Sequence, residues 1–282
     1  MKNKDFAVFI LTHGRADHII TLDSLNRAGY TGPLYIVIDN EDNQRDRYYE
    51  LYGDRVVMFD KRAISDTFDE GDNFENRKTI VYARNACFDI AEKLGYRYFM
   101  ELDDDYVKFQ YRFDGDMEYN YKGMFNLDAV LDILIDYYKS IPAKSICMAQ
   151  GGDYMGGSYS SAAQLRMKRK AMNTFILSTE RRFQFVGRVN EDVNTYVKNG
   201  SIGDLFLTIP NVSIVQVTTQ TNPGGMTDVY LDAGTYIKSF YTVMYHPSSV
   251  VIRLMGTAER RLHHSIRWIN TTPKIISEIH KR

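Results

Sequence analysis

The sequence predicts an α/β protein built on a mainly parallel sheet flanked by helices. Three observations carry that expectation. Short apolar or β-branched runs of strand length recur through the first hundred residues. Segments with helical spacing of apolar residues lie between them. Glycines stand where two of those helices should stop, at Gly29 and Gly95.

The elements follow in order. FAVFIL (6–11) reads as a buried strand. HIITLDSLNRAG (18–29) is helical in pattern and ends at Gly29. PLYIVID (33–39) is a second β-branched run. A short helix around Tyr48 to Leu51 and a strand RVVMFD (55–60) come next. Across RKTIVYARNACFDIAEKLG (77–95), Ile80, Ala83, Cys87, Ile90, Ala91 and Leu94 share one helical face. YRYFMEL (96–102) is the fourth strand.

The second half reads as mixed α+β. LDAVLDILIDYYKSI (127–141) is an amphipathic helix, and SICMAQ (145–150) and NTFILS (173–178) are strands. NEDVNTYVKNGS (190–201) is a short helix closed by Gly200. DLFLTI and SIVQV read as two further strands. VYLDAGTYIKSFYTVMYH (229–246) is helical and stops before Pro247. Glycine-rich loops at 151–157 and 222–226 are candidate lids. No repeat or linker divides the chain. One domain is expected, with halves at 1–106 and 107–250 and a basic tail at 251–282.

The 282 residues carry a formal net charge of −1, so bulk charge points to neither a nucleic acid nor a membrane. Cys87 and Cys147 are the only cysteines and show no metal-ligand spacing, which suits a reduced, intracellular setting. The apolar run Phe6 to Leu11 is too short for a signal peptide. No window reaches the roughly 18 apolar residues of a membrane span. A soluble cytoplasmic protein is expected (host cytoplasm if viral), with no membrane partner and no obligate protein partner.

In parallel α/β sheets, ligands bind beyond the carboxyl ends of the strands. The residues there are Thr12-His13-Gly14-Arg15, Asp39-Asn40, Asp60-Lys61-Arg62 and Asp103 to Asp105. The last group stands out in RYFMELDDDYVKF (97–109). Adjacent carboxylates raise one another's pKa unless a cation is near. Mg²⁺ is usually held by one or two carboxylates plus substrate phosphates. Alternate strand residues share a face, so Asp103 and Asp105 point to one side and Asp104 to the other. A divalent cation, Mn²⁺ or Mg²⁺, is the expected cofactor. Arg84, at the border of its helix's apolar stripe, is placed to offset part of the charge. A solvated acidic turn is the plain alternative.

The stretch YARNACFDIAEKLGYRYFMELDDDY (82–106) resembles the GT-A nucleotide-sugar glycosyltransferase superfamily. There an Arg-Asn pair opens a helix, a glycine follows it, and a strand runs into Asp-x-Asp. FAVFILTHGRADHIITLDSLNRAGYTGPLYIVIDN (6–40) is similar to the first part of that pattern. The resemblance implies a GT-A, Rossmann-like fold, with 1–106 binding the nucleotide and 107–250 facing the acceptor. It implies that Thr12 lies under base or ribose, that Asp39 binds base or ribose, and that His13 and Arg15 lie beside the nucleotide. Arg84 would approach the nucleotide or the acidic cluster. Asp103 would contact ribose or metal and Asp105 would ligate the metal. Asp104 joins the donor-binding set, with its side of the site left open. GRVNEDVNTY (187–196) resembles the superfamily's acidic pair at a helix start, one member of which deprotonates the acceptor. Here these are Glu191 and Asp192, and the resemblance favours Asp192. Acids also favour a first helical turn on electrostatic grounds. A late histidine often completes the metal site. His246 is preferred over His263 and His264, since it precedes Pro247.

Charge is segregated locally. Arg166, Lys168, Arg169, Lys170, Arg181, Arg182 and Arg188 face one acid, Glu180, between residues 164 and 188. Arg253, Arg260, Arg261 and Arg267 open a second basic stretch. Such edges suit a polyanionic acceptor, and Phe183, Phe185 and Trp268 are candidates to stack on an exposed base. A solvated basic face is the plain alternative. ILTHGRADH and FMELDDDY are most similar to phage glycosyltransferases associated with TET/JBP-type oxygenases, which decorate hydroxymethylated pyrimidines in DNA. That resemblance implies a hexosyl- or pentosyltransferase taking a nucleotide-diphosphate sugar as donor and modified DNA as acceptor. The candidate DNA contacts are Arg166, Lys168, Arg169, Arg182, Arg260, Arg261 and Arg267. The rivals are a glycan, lipid or protein acceptor, a nucleotidyltransferase, and a non-catalytic DNA-binding module. The single glycine in LTHGRADH argues against the nucleotidyltransferase.

Overall fold

The computed structural model describes residues 1–72, 77–167, 171–217, 237–255 and 261–271. Four strands, β1 (Phe6–Leu11), β2 (Leu34–Asp39), β3 (Val56–Phe59) and β4 (Tyr98–Asp103), lie parallel in the order β3-β2-β1-β4. Between them run α1 (Ile20–Arg27), α2 (Arg45–Tyr52), α3 (Lys61–Ser65) and α4 (Val81–Lys93). The expected α/β architecture is therefore present. Register sets Leu11 beside both Val37 and Asp103, and Asp39 beside Phe59, so the strand ends form one rim.

The core explains why β1 is apolar throughout. Phe6, Val8 and Ile10 join one cluster with Leu25 of α1 and Tyr48 of α2. Ala7, Phe9 and Leu11 join the other with Tyr82, Ala86, Cys87 and Phe88 of α4. A strand covered on both faces needs no polar alternation.

The rest of the chain completes a nine-stranded mixed sheet. Its members are β5 (Tyr106–Phe113), β6 (Tyr119–Gly123), β7 (Ala143–Gln150), β8 (Phe175–Ser178) and β9 (Leu205–Gln216), in the order β4-β8-β7-β9-β5-β6. Helices α5 (Leu127–Ser140) and α6 (Glu191–Ser201) fall close to their expected places. β5 and β6 were not anticipated. The two expected strands after Gly203 are one strand, β9. Its register against β7 slips between Met148↔Ile209 and Ala149↔Ser213, which bulges out the residues around Pro210. Helix α7 (Ile237–Tyr245) is the described part of the helix expected over 229–246. Where the basic tail was expected to start, β10 (Val250–Met255) and β11 (Arg261–Ile266) pair antiparallel. The loop at 222–226 lies outside the described residues. No described helix is long and apolar enough to cross a membrane.

Candidate active site

The carboxyl ends of β1 to β4 open on a cavity of about 640 Å³. Its walls include Thr12, His13, Arg15, Asp39, Asp103, Asp104 and Asp105, all expected from the sequence to meet there.

The acidic triplet forms the turn between β4 and β5 and is divided by its partners. Asp104 is buried and accepts from Thr12 Oγ1 at 2.6 Å and from Arg15 Nη1 at 2.8 Å. Burial still raises its pKa, against the pull of Arg15 and Thr12. Asp103 accepts from Arg84 Nη2 at 3.1 Å while its side chain stays 25 % exposed. Asp105 differs from both. Its Oδ1 is buried without a hydrogen-bond partner. Burial, then the charges of Asp103 and Asp104, push this carboxyl up to about 7. Two arginines thus offset two of the three carboxylates, and the third has a lone oxygen at the cavity.

An orphaned carboxylate oxygen beside a second, partly exposed carboxylate fits a hard divalent cation. Among the described residues no three His, Cys, Asp or Glu side chains gather as a ready ligand set. The fit is therefore to a cation whose shell is completed by phosphate oxygens and water. His246 does not line the cavity; it follows α7, with Nδ1 3.4 Å from Ser248 Oγ.

At the other end of the cavity Asp39 is already engaged. Its Oδ2 meets His13 Nδ1 at 2.8 Å and Lys61 Nζ at 3.1 Å, and Oδ1 accepts the Glu41 N–H at 3.0 Å. Burial would raise its pKa, but the His13 hydrogen bond and the Lys61 charge outweigh that and lower it. Lys61 is 3 % exposed and was missed as a site residue. The available signal was its position directly after β3. Asp42 was also missed. Its carboxylate accepts the Gly14 N–H at 2.7 Å and the Gln44 N–H at 2.8 Å, which fixes the loop after β1.

Arg84 is buried behind the triplet and serves three acids. Nε donates to Glu191 at 3.1 Å, Nη1 to Glu101 at 3.4 Å and Nη2 to Asp103 at 3.1 Å. Burial opposes its charge, but Asp103, Glu191 and Glu101 together raise its pKa, so it stays cationic. Glu101 is fully buried, and that burial pushes it up to about 8. It was missed, although Glu101 and Asp103 alternate along β4 and so share a face. Glu191 and Asp192 open α6, and Asp192 is buried with Oδ1 accepting the Val193 N–H at 2.7 Å. The acidic pair predicted near the acceptor is thereby tied to the acidic turn through one guanidinium.

Three arginines of the basic stretch have partners within the chain. Arg181 donates to the carbonyls of Tyr138, Ile141 and Ala143 at the end of α5. Arg182, expected to face DNA, pairs with Asp89 and Glu92 of α4. Arg188 pairs with Asp72 at 2.9 Å. Phe185 is fully buried, so its ring cannot stack on a base, and the half-buried Phe183 packs on Phe88 and Phe206. Trp268 stacks on Tyr196, with ring centroids 5.8 Å apart. Arg166 and Arg267 are exposed. Lys168, Arg169 and Arg260 lie outside the described residues, as does the side chain of Arg261.

Among solved structures, the chain is similar to glucosyl-3-phosphoglycerate synthase from Mycobacterium tuberculosis in complex with Mn²⁺, UDP and phosphoglyceric acid. The identity is 11 % and the TM-score 0.48, over 93 % of this chain and 86 % of that one. It is also similar to the mannosyltransferase PcManGT from Pyrobaculum calidifontis in complex with GDP-Man and Mn²⁺. Here the identity is 11 % and the TM-score 0.44, over 86 % and 73 % of the two chains. No curated protein matches. The model of the TET-associated glycosyltransferases matches residues 6–225, a span that holds the cavity, Arg84 and the Glu191-Asp192 pair. The chain belongs to the TET-associated glycosyltransferase family.

Proposed function

We propose that this glycosyltransferase moves a sugar from a nucleoside-diphosphate sugar to the hydroxymethyl oxygen of a modified pyrimidine in DNA, with a divalent cation. The observation that carries the reading is the buried, partnerless Asp105 oxygen beside Asp103 on a cavity of about 640 Å³. That volume suits a nucleotide-sized ligand.

Asp103 and Asp105 are the residues that would hold the cation. When bound, it neutralises the charge that develops on the leaving diphosphate. The chain's own groups do the remaining work. Thr12 and Arg15 hold Asp104, which keeps the turn in place for its neighbours. His13, Asp39 and Lys61 line the end of the cavity toward β3, where base and ribose would lie. Asp192 is the general base. Glu191 is engaged with Arg84, and the family resemblance favours its neighbour as the group that takes the acceptor's proton. In an inverting course the acceptor oxygen bonds to the anomeric carbon as the bond to the diphosphate breaks. A hydroxymethyl group is what an oxygenase leaves on a pyrimidine methyl, which supports DNA as the acceptor in this family. A base within a duplex would have to swing out to reach the site.

The test is incubation with hydroxymethylated and plain DNA, a panel of nucleotide sugars and Mn²⁺, followed by nucleoside mass spectrometry. One added hexose or pentose on the hydroxymethyl nucleoside alone is expected. A new nucleotide sugar, or sugar transfer only to a non-DNA acceptor, would overturn the reading.

A further inference from the structure

We propose that Glu191 works in sugar transfer as a positioning residue, through Arg84. In this view Arg84 and Asn85 of α4 together set the reach between the donor's acidic turn and the acceptor's base. The inference rests on the reading of Asp192 as that base.

Arg84 holds Asp103 and Glu191 with two nitrogens of one planar guanidinium, each at 3.1 Å. A rigid fork fixes the spacing of its two partners better than a pair of flexible side chains would. The fork cannot drift. Its side chain is 3 % exposed, its third nitrogen reaches Glu101, and its carbon lies 5.0 Å from the Phe175 ring centroid. The next residue grips the same segment again. Asn85 Nδ2 donates to Phe185 O at 3.0 Å, and the Phe185 N–H donates to Asn85 Oδ1 at 2.8 Å. Between these grips the chain is stitched to the helix it enters. Asn194 donates to the carbonyls of Val186 and Val189, and the Val186 N–H donates to Thr195 Oγ1. Asn190 makes the entry in the left-handed region, at φ 62°. Asp192 follows Glu191 directly, so its offset from Asp103 is set through Arg84.

The same contact already occupies an oxygen of Glu191. A carboxylate that accepts from a buried guanidinium must weaken that pair to take a proton. A glutamine there keeps an oxygen for Arg84 Nε but cannot take a proton, which separates the two roles.

The experiment compares Glu191→Gln and Glu191→Ala in the full chain, with kcat, donor KM and melting temperature as readouts. Positioning predicts that glutamine stays within about fivefold of the parent kcat while alanine falls about 100-fold at unchanged donor KM. If Glu191 were the base, both variants would fall together by about 10² or more, which overturns the proposal. A purely structural role would lower the alanine variant's melting temperature yet leave kcat intact below it, which also overturns it. Any acceptor that the parent enzyme uses serves for the comparison. Lack of transfer to DNA would therefore sink the acceptor assignment without touching this test.

Discussion

Asp105 sets the pH behaviour of the cavity. Its carboxyl is pushed from 3.8 up to about 7, first by burial and then by Asp103 and Asp104. Glu101 moves the same way, to about 8, also by burial. Each is raised above its unfolded value, so the folded state binds more protons across the interval. The stability each contributes is complete below about pH 4 and is lost as pH rises through 7 to 8. Asp39, Asp128 and Asp132 have lowered pKa values, so their contributions fade only below about pH 4. The cation-free protein should therefore melt higher at pH 5.5 than at pH 8. After discounting Asp105 for its partial exposure, that residue's share is about 1 kcal/mol. Asp105→Asn should shrink the difference, and Mn²⁺ at pH 8 should raise the melting temperature of the parent but not of the variant. Equal melting of parent and variant at both pH values, followed by circular dichroism, would contradict this account. The link from Arg84 to Asp103 was legible because the resemblance singled out Arg84 and helical spacing set it within reach of the rim. Lys61 and Glu101 had readable positions, but the burial of their charges is visible only once their partners are.

Elements were legible where their signals are local. β1 is apolar at every position because both its faces are covered, and α4 repeats its apolar residues at helical spacing. β5 was missed although Val107 to Phe113 alternates apolar and polar residues; the surprise is that the polar Gln110 and Arg112 are buried. Arg112 tolerates that position by donating to Ser213 Oγ at 2.6 Å and lying over the Tyr154 ring. Pro210 read as a strand break, and it is a bulge inside β9. The end of α5 carries the clearest energetic consequence. A helix leaves its last carbonyls unsatisfied, and Arg181 fills that need for Tyr138, with Ile141 and Ala143 beyond. Arg181→Met should cost about 1–3 kcal/mol in a urea titration, since hydrogen bonds from a charged donor are among the stronger ones. The same variant should leave the salt dependence of DNA binding unchanged. A weaker slope with unaltered stability would reverse the assignment.

At the scale of the whole molecule, the nine-stranded mixed sheet joins a half read from short-range pattern to a half assembled by long-range pairing. The charge pattern shows the limit most clearly. In one dimension Arg182 belongs to a basic run; in three it belongs to Asp89 and Glu92, roughly ninety residues earlier. Arg188 likewise belongs to Asp72. Basic residues that face solvent, such as Arg166 and Arg267, are left as the better candidates for binding phosphate. They sit in separate parts of the chain, so their effects should add. Removing one arginine–phosphate ion pair should reduce the slope of log affinity against log salt by about 1. The double variant Arg166→Gln/Arg267→Gln should therefore lower it by about 2, read by fluorescence anisotropy on hydroxymethylated duplex DNA. Donor-nucleotide affinity should not change, because neither residue lines the cavity. An unchanged slope in that variant, with a reduced slope in Arg182→Gln, would mean that DNA breaks the Arg182 pairs on docking. It would return the 181–188 segment to the acceptor face.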